Sequence, residues 1–328
     1  MIDSIWGKIK DFWKLLMNAG AAFAEDNCMK LSASLAYYTI FSIGPLLLIL
    51  TWTLGFFYGN ALDGSEGARE QVIDELNQLF GKDIASLLES TIHNLSLDSK
   101  SSNIGIIVGG ATLMFTSTTI FVDIQNSINS IWKVKPKPKK GWLKLIVNRL
   151  ISFSMILGLV FLLLASLIIS SLIGIMTDYF NRFMANWDIN LIDWINSSIT
   201  FLVISTLFGI IYAFLPDAKV RFKDILGGAI FTSLLFMLGK FLISLYLSQN
   251  ITASSYGAAG SIIILLAWVY YSSAILYFGA EFTKEYAVKY GKGIQPSSFA
   301  VLVKQTELEI DPETGIREVV KKHNDPVQ

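Results

Sequence analysis

Six stretches of this chain run without a single Asp, Glu, Lys or Arg, and they limit its fold more than any other feature. They are Leu31 to Leu62, Ser101 to Val122, Leu150 to Thr177, Trp194 to Pro216, Ile225 to Gly239 and Phe241 to Ala280. A hydrocarbon layer about 30 Å thick is crossed by roughly 20 residues of α-helix. Inside it the backbone has no water to bond, so a crossing segment must close its own amide hydrogen bonds as a helix. The last run is too long for one crossing, and Ser248-Gln249-Asn250 with Ser254-Ser255-Tyr256-Gly257 breaks it as a polar turn. The expectation is an all-α integral membrane protein, a bundle of six transmembrane helices at about 35–58, 104–122, 147–174, 192–215, 225–247 and 258–281. Composition agrees: 53% of the 328 residues are hydrophobic and 16% are charged, whereas soluble domains carry about 25% charge.

The basic residues set the orientation, because short loops rich in Lys and Arg stay on the cytoplasmic side. Lys8, Lys10, Lys14 and Lys30 precede the first span, and Lys133, Lys135, Lys137, Lys139, Lys140, Lys144 and Arg149 surround the second connection. Lys219, Arg221 and Lys223 fill the fourth connection, and a further group from Lys284 to Lys322 follows the last span. The opposite side holds only Arg69, Lys82, Lys100 and Arg182. Both termini are therefore expected on the cytoplasmic side. The first uncharged run is too long for a signal h-region and lacks a small-residue cleavage pattern, so it reads as a span and not as a leader. Net charge is zero, and no global field draws in nucleic acid. The lone cysteine, Cys28, excludes an internal disulfide and a cysteine metal cluster.

Four segments are expected outside the hydrocarbon. In residues 1–31, Ile2, Ile5, Trp6, Ile9, Phe12, Trp13 and Leu16 recur at three- and four-residue steps while Lys8, Lys10 and Lys14 project elsewhere. That is the pattern of an amphipathic helix lying on the inner leaflet. Residues 60–103 combine many acids with apolar residues from Val72 to Leu95 at near-helical spacing. They read as a small helical outer cap, either packed over the bundle mouth or standing as a solvated hairpin. The run Lys133 to Lys140, with Pro136 and Pro138, reads as an extended basic linker touching anionic lipid headgroups. Residues 291–328 are polar and are expected to be mostly disordered.

Polar groups within the spans are costly and mark the places where function can sit. Lys240 lies seven residues from the outer end of the fifth span, roughly 10 Å deep at a helical rise. Two readings stand: its stem snorkels to the outer interface, or it faces an internal pocket and holds an anion. In the first span Tyr37, Tyr38 and Ser42 accompany Gly44 and Pro45. The proline removes a donor and disrupts the preceding turn; the resulting kink serves as a hinge or only as static packing. Gly105, Gly109, Gly110, Gly227, Gly228, Gly257 and Gly260 allow close helix approach.

These residues also carry a resemblance. Ala33 to Pro45, with SLAYYTIFSIGP, resembles the opening signature of the first span of the YihY/BrkB family, and Ile124 to Lys133, with Gln125, Asn129 and Trp132, resembles its second-helix exit. LPDAKVRFKDILGG from Leu215 to Gly228, and Tyr256 to Glu281 with YGAAGS, LLAWVYYSS and FGAEF, are similar to its later motifs. The similarity spans about residues 20 to 290, and the tail after about 295 departs from it. The resemblance implies a multi-pass protein of the bacterial inner membrane, with Tyr256, Gly257, Gly260 and Glu281 as motif positions. Members have been linked to serum resistance, named ribonuclease BN, and suspected of moving lipid or lipopolysaccharide precursors.

The residues argue against an enzyme. A metal-dependent ribonuclease needs clustered His and carboxylate ligands, yet only His93 and His323 occur, on opposite sides of the expected membrane. No GxSxG elbow, P-loop or HExxH is present, and the basic linker lacks interleaved aromatics for stacking bases. No metal, cofactor or nucleic acid is expected. Two readings remain: a transporter or flippase for a lipid or amphipathic anion, with a cavity near Lys240, Tyr37, Tyr38 and Ser42 and a hinge at Gly44 and Pro45; and a non-transporting scaffold or envelope factor. The sequence leaves the oligomeric state open.

Overall fold

The computed structural model describes residues 2–39, 73, 74, 77, 86, 119–137, 190–249, 258–304, 307–310 and 317–320. Helix α1 (Ile2–Glu25) stops where Asn27 takes a left-handed conformation, φ 53°, which asparagine tolerates at a helix end. The chain restarts at once as α2, helical over 28–39, and α3 is helical over 119–131. Helix α4 (Asn190–Phe214) ends just before Pro216, which cannot continue a helix. Helix α5 (Phe222–Gln249) places Asp224 in its first turn, where the exposed amides favour an acid. Helix α6 (Ala258–Tyr290) is the longest. The spans expected at 192–215, 225–247 and 258–281 overlie α4, α5 and α6, the first running one residue past the end of α4. Among the described residues two segments, Ser197–Phe214 and Phe222–Ile243, are long and apolar enough to cross a membrane. The span expected at 35–58 starts in α2 and that at 104–122 ends in α3. The remainder of both, the span at 147–174 and nearly all of the cap lie outside the described residues.

Short strands complete the chain: β1 (Val134–Pro136), β2 (Ala218–Lys219), β3 (Gln295–Pro296), β4 (Ala300–Leu302), β5 (Glu307–Ile310) and β6 (Arg317–Val320). They form three antiparallel pairs, β1 with β4, β2 with β3 and β5 with β6. This corrects two expectations. The fold is mostly helical and not purely α, and the tail begins with paired strands where disorder was expected. The cause lies in the partners. Pro136 favours an extended chain before it, leaving donors and acceptors that a helix would have consumed. Val134 then lies opposite Leu302 and Pro136 opposite Ala300. Val303 N donates to Lys133 O (2.8 Å), Lys137 N to Phe299 O (2.7 Å) and Ser297 N to Asp217 O (3.0 Å). The tail thereby clasps the connections after α3 and α4 at one end of the bundle.

Helices α4, α5 and α6 pack in sequence, and α1 packs on α6. The α5–α6 seam is built from one motif used twice, glycine followed four residues later by threonine. A Cβ placed on Gly228 would lie 1.8 Å from Thr283 Oγ1, and one on Gly279 would lie 1.9 Å from Thr232 Oγ1. The two helices run antiparallel, so each threonine sits over the other helix's glycine, a backbone approach that only a missing side chain permits. Both hydroxyls donate back to their own helix, Thr232 to Gly228 O (2.7 Å) and Thr283 to Gly279 O (2.6 Å). On α4, Tyr212 is buried against the same seam, its hydroxyl 3.1 Å from Thr232 Oγ1 and 2.8 Å from Leu276 O. Away from the seam, α5 exposes Phe222, Leu226, Ile230, Leu234 and Leu238 at four-residue steps. A continuous apolar stripe of this kind fits hydrocarbon and not water.

Overpacking a close seam destabilises by about 1–3 kcal/mol, so Gly228→Val is expected to lower the thermal unfolding midpoint of the detergent-solubilised protein. Gly20→Ala, where no atom lies within 4 Å of the added carbon, is expected to leave it equal or slightly raised. Matching midpoints for Gly228→Val and wild type would refute the seam.

Candidate functional site

Charged side chains of the described residues gather at the end where the strands lie, several of them paired with distant stretches of chain. The centre is Glu281 on α6, fully buried. Lys284, one turn on, donates to Glu281 Oε2 at 2.5 Å and to the carbonyl of Ile131 at 3.0 Å. The same ammonium lies 3.6 Å from Asp26, in the turn between α1 and α2. Asp26 is also paired with Lys133, which takes a left-handed φ of 54° at the end of α3. Cys28 starts α2 with its Sγ 4.0 Å from Glu281 Oε1. Trp132 closes the apolar side, buried and donating from Nε1 to Ala280 O at 3.0 Å. Asp26, Glu281, Lys133 and Lys284 therefore form a charge-balanced cluster joining the α1–α2 turn, the α3 exit and α6. Burial, with the acids Glu281 and Asp26 beside it, pushes the Cys28 thiol up to about 12.

Three further acids are held by partners of their own. Asp217, buried after α4, accepts from Asn129 Nδ2 at 2.9 Å and Gln125 Nε2 at 3.3 Å. Its own amide donates back to Asn129 Oδ1 at 2.8 Å, a reciprocal lock between α3 and the β2 turn. Asp224 accepts two bonds from Arg221, at 2.9 and 3.0 Å, and Arg221 also donates to Tyr290 O at 2.8 Å. Gly291 admits Asp224, since a Cβ there would stand 2.4 Å from Asp224 Oδ2. Asp123 accepts from Ser34 at 3.3 Å, and burial holds its carboxyl above the usual carboxylate range.

The residues singled out in the sequence fall in three places. Glu281 is at the centre of the charged cluster and Gly228 in the α5–α6 seam, while Gly227 makes ordinary contact with the Tyr286 ring at 3.6 Å. Lys240 is half-buried on α5. It follows Gly239, which lies against Tyr271, ten residues and roughly 15 Å along α6 from Glu281. Tyr37 and Tyr38 are exposed and meet edge to face, 5.9 Å apart. Gly260 lies in the first turn of α6. Ser42, Gly44, Pro45, Tyr256 and Gly257 lie outside the described residues. Sequence reasoning passed over Asp26 and Lys284 as partners and took Lys133 only as a topological charge. The signal was present in part: Glu281 and Lys284 are three apart on one helix, a spacing that faces side chains together.

Long helices with an uncharged outward face, and polar side chains withdrawn to one end, define a helical membrane protein. This chain belongs to the virulence factor BrkB family, whose sequence pattern matches residues 19–299. That match bears out the YihY/BrkB resemblance. A UPF0761 membrane protein of Alcanivorax borkumensis is 26% identical over 290 residues, covering 88% of this chain and 63% of the relative. Proteins of the same name from Psychromonas ingrahamii and Aliivibrio fischeri are 27% and 29% identical, covering 89% and 86% of their own lengths. The chain thus spans under two thirds of the Alcanivorax relative and most of the other two. No solved structure matches. The chain is accordingly a bacterial membrane protein.

Two outcomes follow from this geometry. Asp217→Ala strands the buried Asn129 and Gln125 amides and is expected to cost about 1–3 kcal/mol, read as a lower unfolding midpoint. Because the thiolate is the nucleophile, a rise from 9.0 to about 12 is expected to slow maleimide labelling of Cys28 roughly a thousandfold against the unfolded chain at neutral pH. Labelling at the unfolded rate would contradict the burial.

Proposed function

We propose that the chain is a multi-pass protein of the bacterial cytoplasmic membrane that moves a lipid or amphipathic anion across it without ATP. The observation that carries this reading is the cluster of Asp26, Lys133, Glu281 and Lys284 at the rim of the bundle. Desolvating four charges is expensive, and apolar side chains would join the same helices without that cost. Ionisable groups kept at membrane depth mark pathways and relays. In this reading Lys240, with Tyr37, Tyr38 and Ser42, lines the path of the anion, and Gly44 and Pro45 supply the hinge.

Six crossings with both termini inside are supported by the clasp. The α1–α2 turn, the α3 exit, the β2 turn and the β3–β4 segment all meet at one end. Helices α4, α5 and α6 each run the length of one crossing. In this reading the clustered lysines face the cytoplasm. Helix α1 supports a place on the inner leaflet: Leu15 and Ala19 are buried against Phe282, while Trp6, Ile9, Trp13 and Met17 are exposed beside Lys10 and Lys14. Anionic headgroups are the partners in that reading.

The second reading, a non-transporting scaffold, is favoured by the close α5–α6 seam, which leaves no room for a ligand between those two helices. Mass spectrometry of the lipids that co-purify with wild type and Lys240→Ala discriminates the two. Transport predicts an anionic lipid enriched on the wild type and lost from a variant that keeps its helical circular dichroism. Identical lipid profiles would leave the scaffold.

A further inference from the structure

We propose that Glu281 is a proton-binding site, at which a proton from the aqueous side takes the place of the Lys284 ammonium as partner of the carboxylate. Its use in driving movement of an anion rests on the transport reading above; the binding of the proton does not.

The arrangement has two states already built into it. Glu281 has no solvent contact, and it faces the Lys284 ammonium at 2.5 Å, the weakly donating Cys28 thiol at 4.0 Å and the Asp26 carboxyl. Lys284 holds two other acceptors, Ile131 O at 3.0 Å and Asp26 at 3.6 Å. When a proton binds a Glu281 oxygen, the oxygen's lone pair forms the new O–H bond. Lys284 keeps all its own protons and swings to Asp26 and Ile131 O. No buried cation is left without an acceptor, and the cluster passes from neutral to one positive charge. Release reverses each step.

A route from water is also present. Side-chain exposure falls from 34% at Lys133 to 16% at Lys284, 11% at Asp26 and none at Glu281, while Ile128, Ile131, Trp132 and Ala280 are buried around it. The charged and titratable groups facing Glu281 are Asp26 from the α1–α2 turn, Cys28 from α2, Lys133 from the α3 exit and Lys284 from α6 itself. Asp123 and Ser34 form the next pair outward. Lys284 links the carboxylate to the turn that carries α1, so a change of partner at Glu281 is transmitted to the N-terminal helix.

Infrared difference spectroscopy on the full chain in phosphatidylethanolamine–phosphatidylglycerol nanodiscs tests this. On acidification a protonated-carboxyl band is expected to appear, to shift with isotope-labelled glutamate and not with labelled aspartate, to vanish in Glu281→Gln and to persist in Asp26→Asn. Since the chain has one cysteine, its S–H stretch reports on Glu281 in the unaltered protein. That stretch is expected to move to higher wavenumber in step with the carboxyl band, as the thiol loses an ionised acceptor. This second readout decides the matter even if Glu281→Gln fails to fold. No band, a band that follows labelled aspartate, or an S–H stretch indifferent to pH would overturn the proposal. Movement of a fluorescent phosphatidylglycerol under an imposed proton gradient is measured separately. If both bands titrate and no lipid moves, the proton site stands and the transport reading falls; if lipid moves while both bands stay silent, the site falls.

Discussion

Everything at the strand end of this protein depends on polar groups that cannot be satisfied within their own element. Glu281 has Lys284 on its own helix, but Lys284 also needs Ile131 O, Asp26 needs Lys133, and Asp217 needs Asn129. In a soluble protein water would fill any of these roles. At the edge of a hydrocarbon layer it does so poorly, and an unmade hydrogen bond costs more than a made one gains. The need for mutual completion fixes where the α1–α2 turn, the α3 exit, the β2 turn and the tail lie.

The seam between α5 and α6 obeys a different constraint. Between apolar helices in lipid there is no hydrophobic gain from association, so contact area and close approach must hold them. Gly228 and Gly279 provide the approach, and Thr232 and Thr283 fill the hollows while bonding to their own helix. Phe208, Phe236 and Trp268 extend the packing along α4, α5 and α6, with ring centroids 5.7–5.9 Å apart.

Much of this architecture is legible from the positions of charges. The uncharged runs locate α4, α5 and α6, and the FGAEF motif brings attention to Glu281. What could not be read is pairing across long separations. Lys284 and Asp26 are 258 residues apart, and single-sequence periodicity carries no information at that range. The strands were missed for a related reason. Ala300 to Leu302 has no alternating pattern, and its extended form comes from the free edge that Lys133 to Lys137 presents to it. Periodicity in α1 showed one apolar stripe where the helix uses two: Trp6, Ile9 and Trp13 turned outward, and Leu15 and Ala19 turned onto Phe282.

The clasp made by β3 and β4 also bears on biogenesis. Synthesis proceeds from the N-terminus, and α1 to α6 are made in order. Yet the edges of β1 and β2 stay open until residues 295–302 have been synthesised. The helices and the ionic centre are therefore complete in sequence before the ends of α3 and α4 are tied together, and the last step of assembly belongs to the tail.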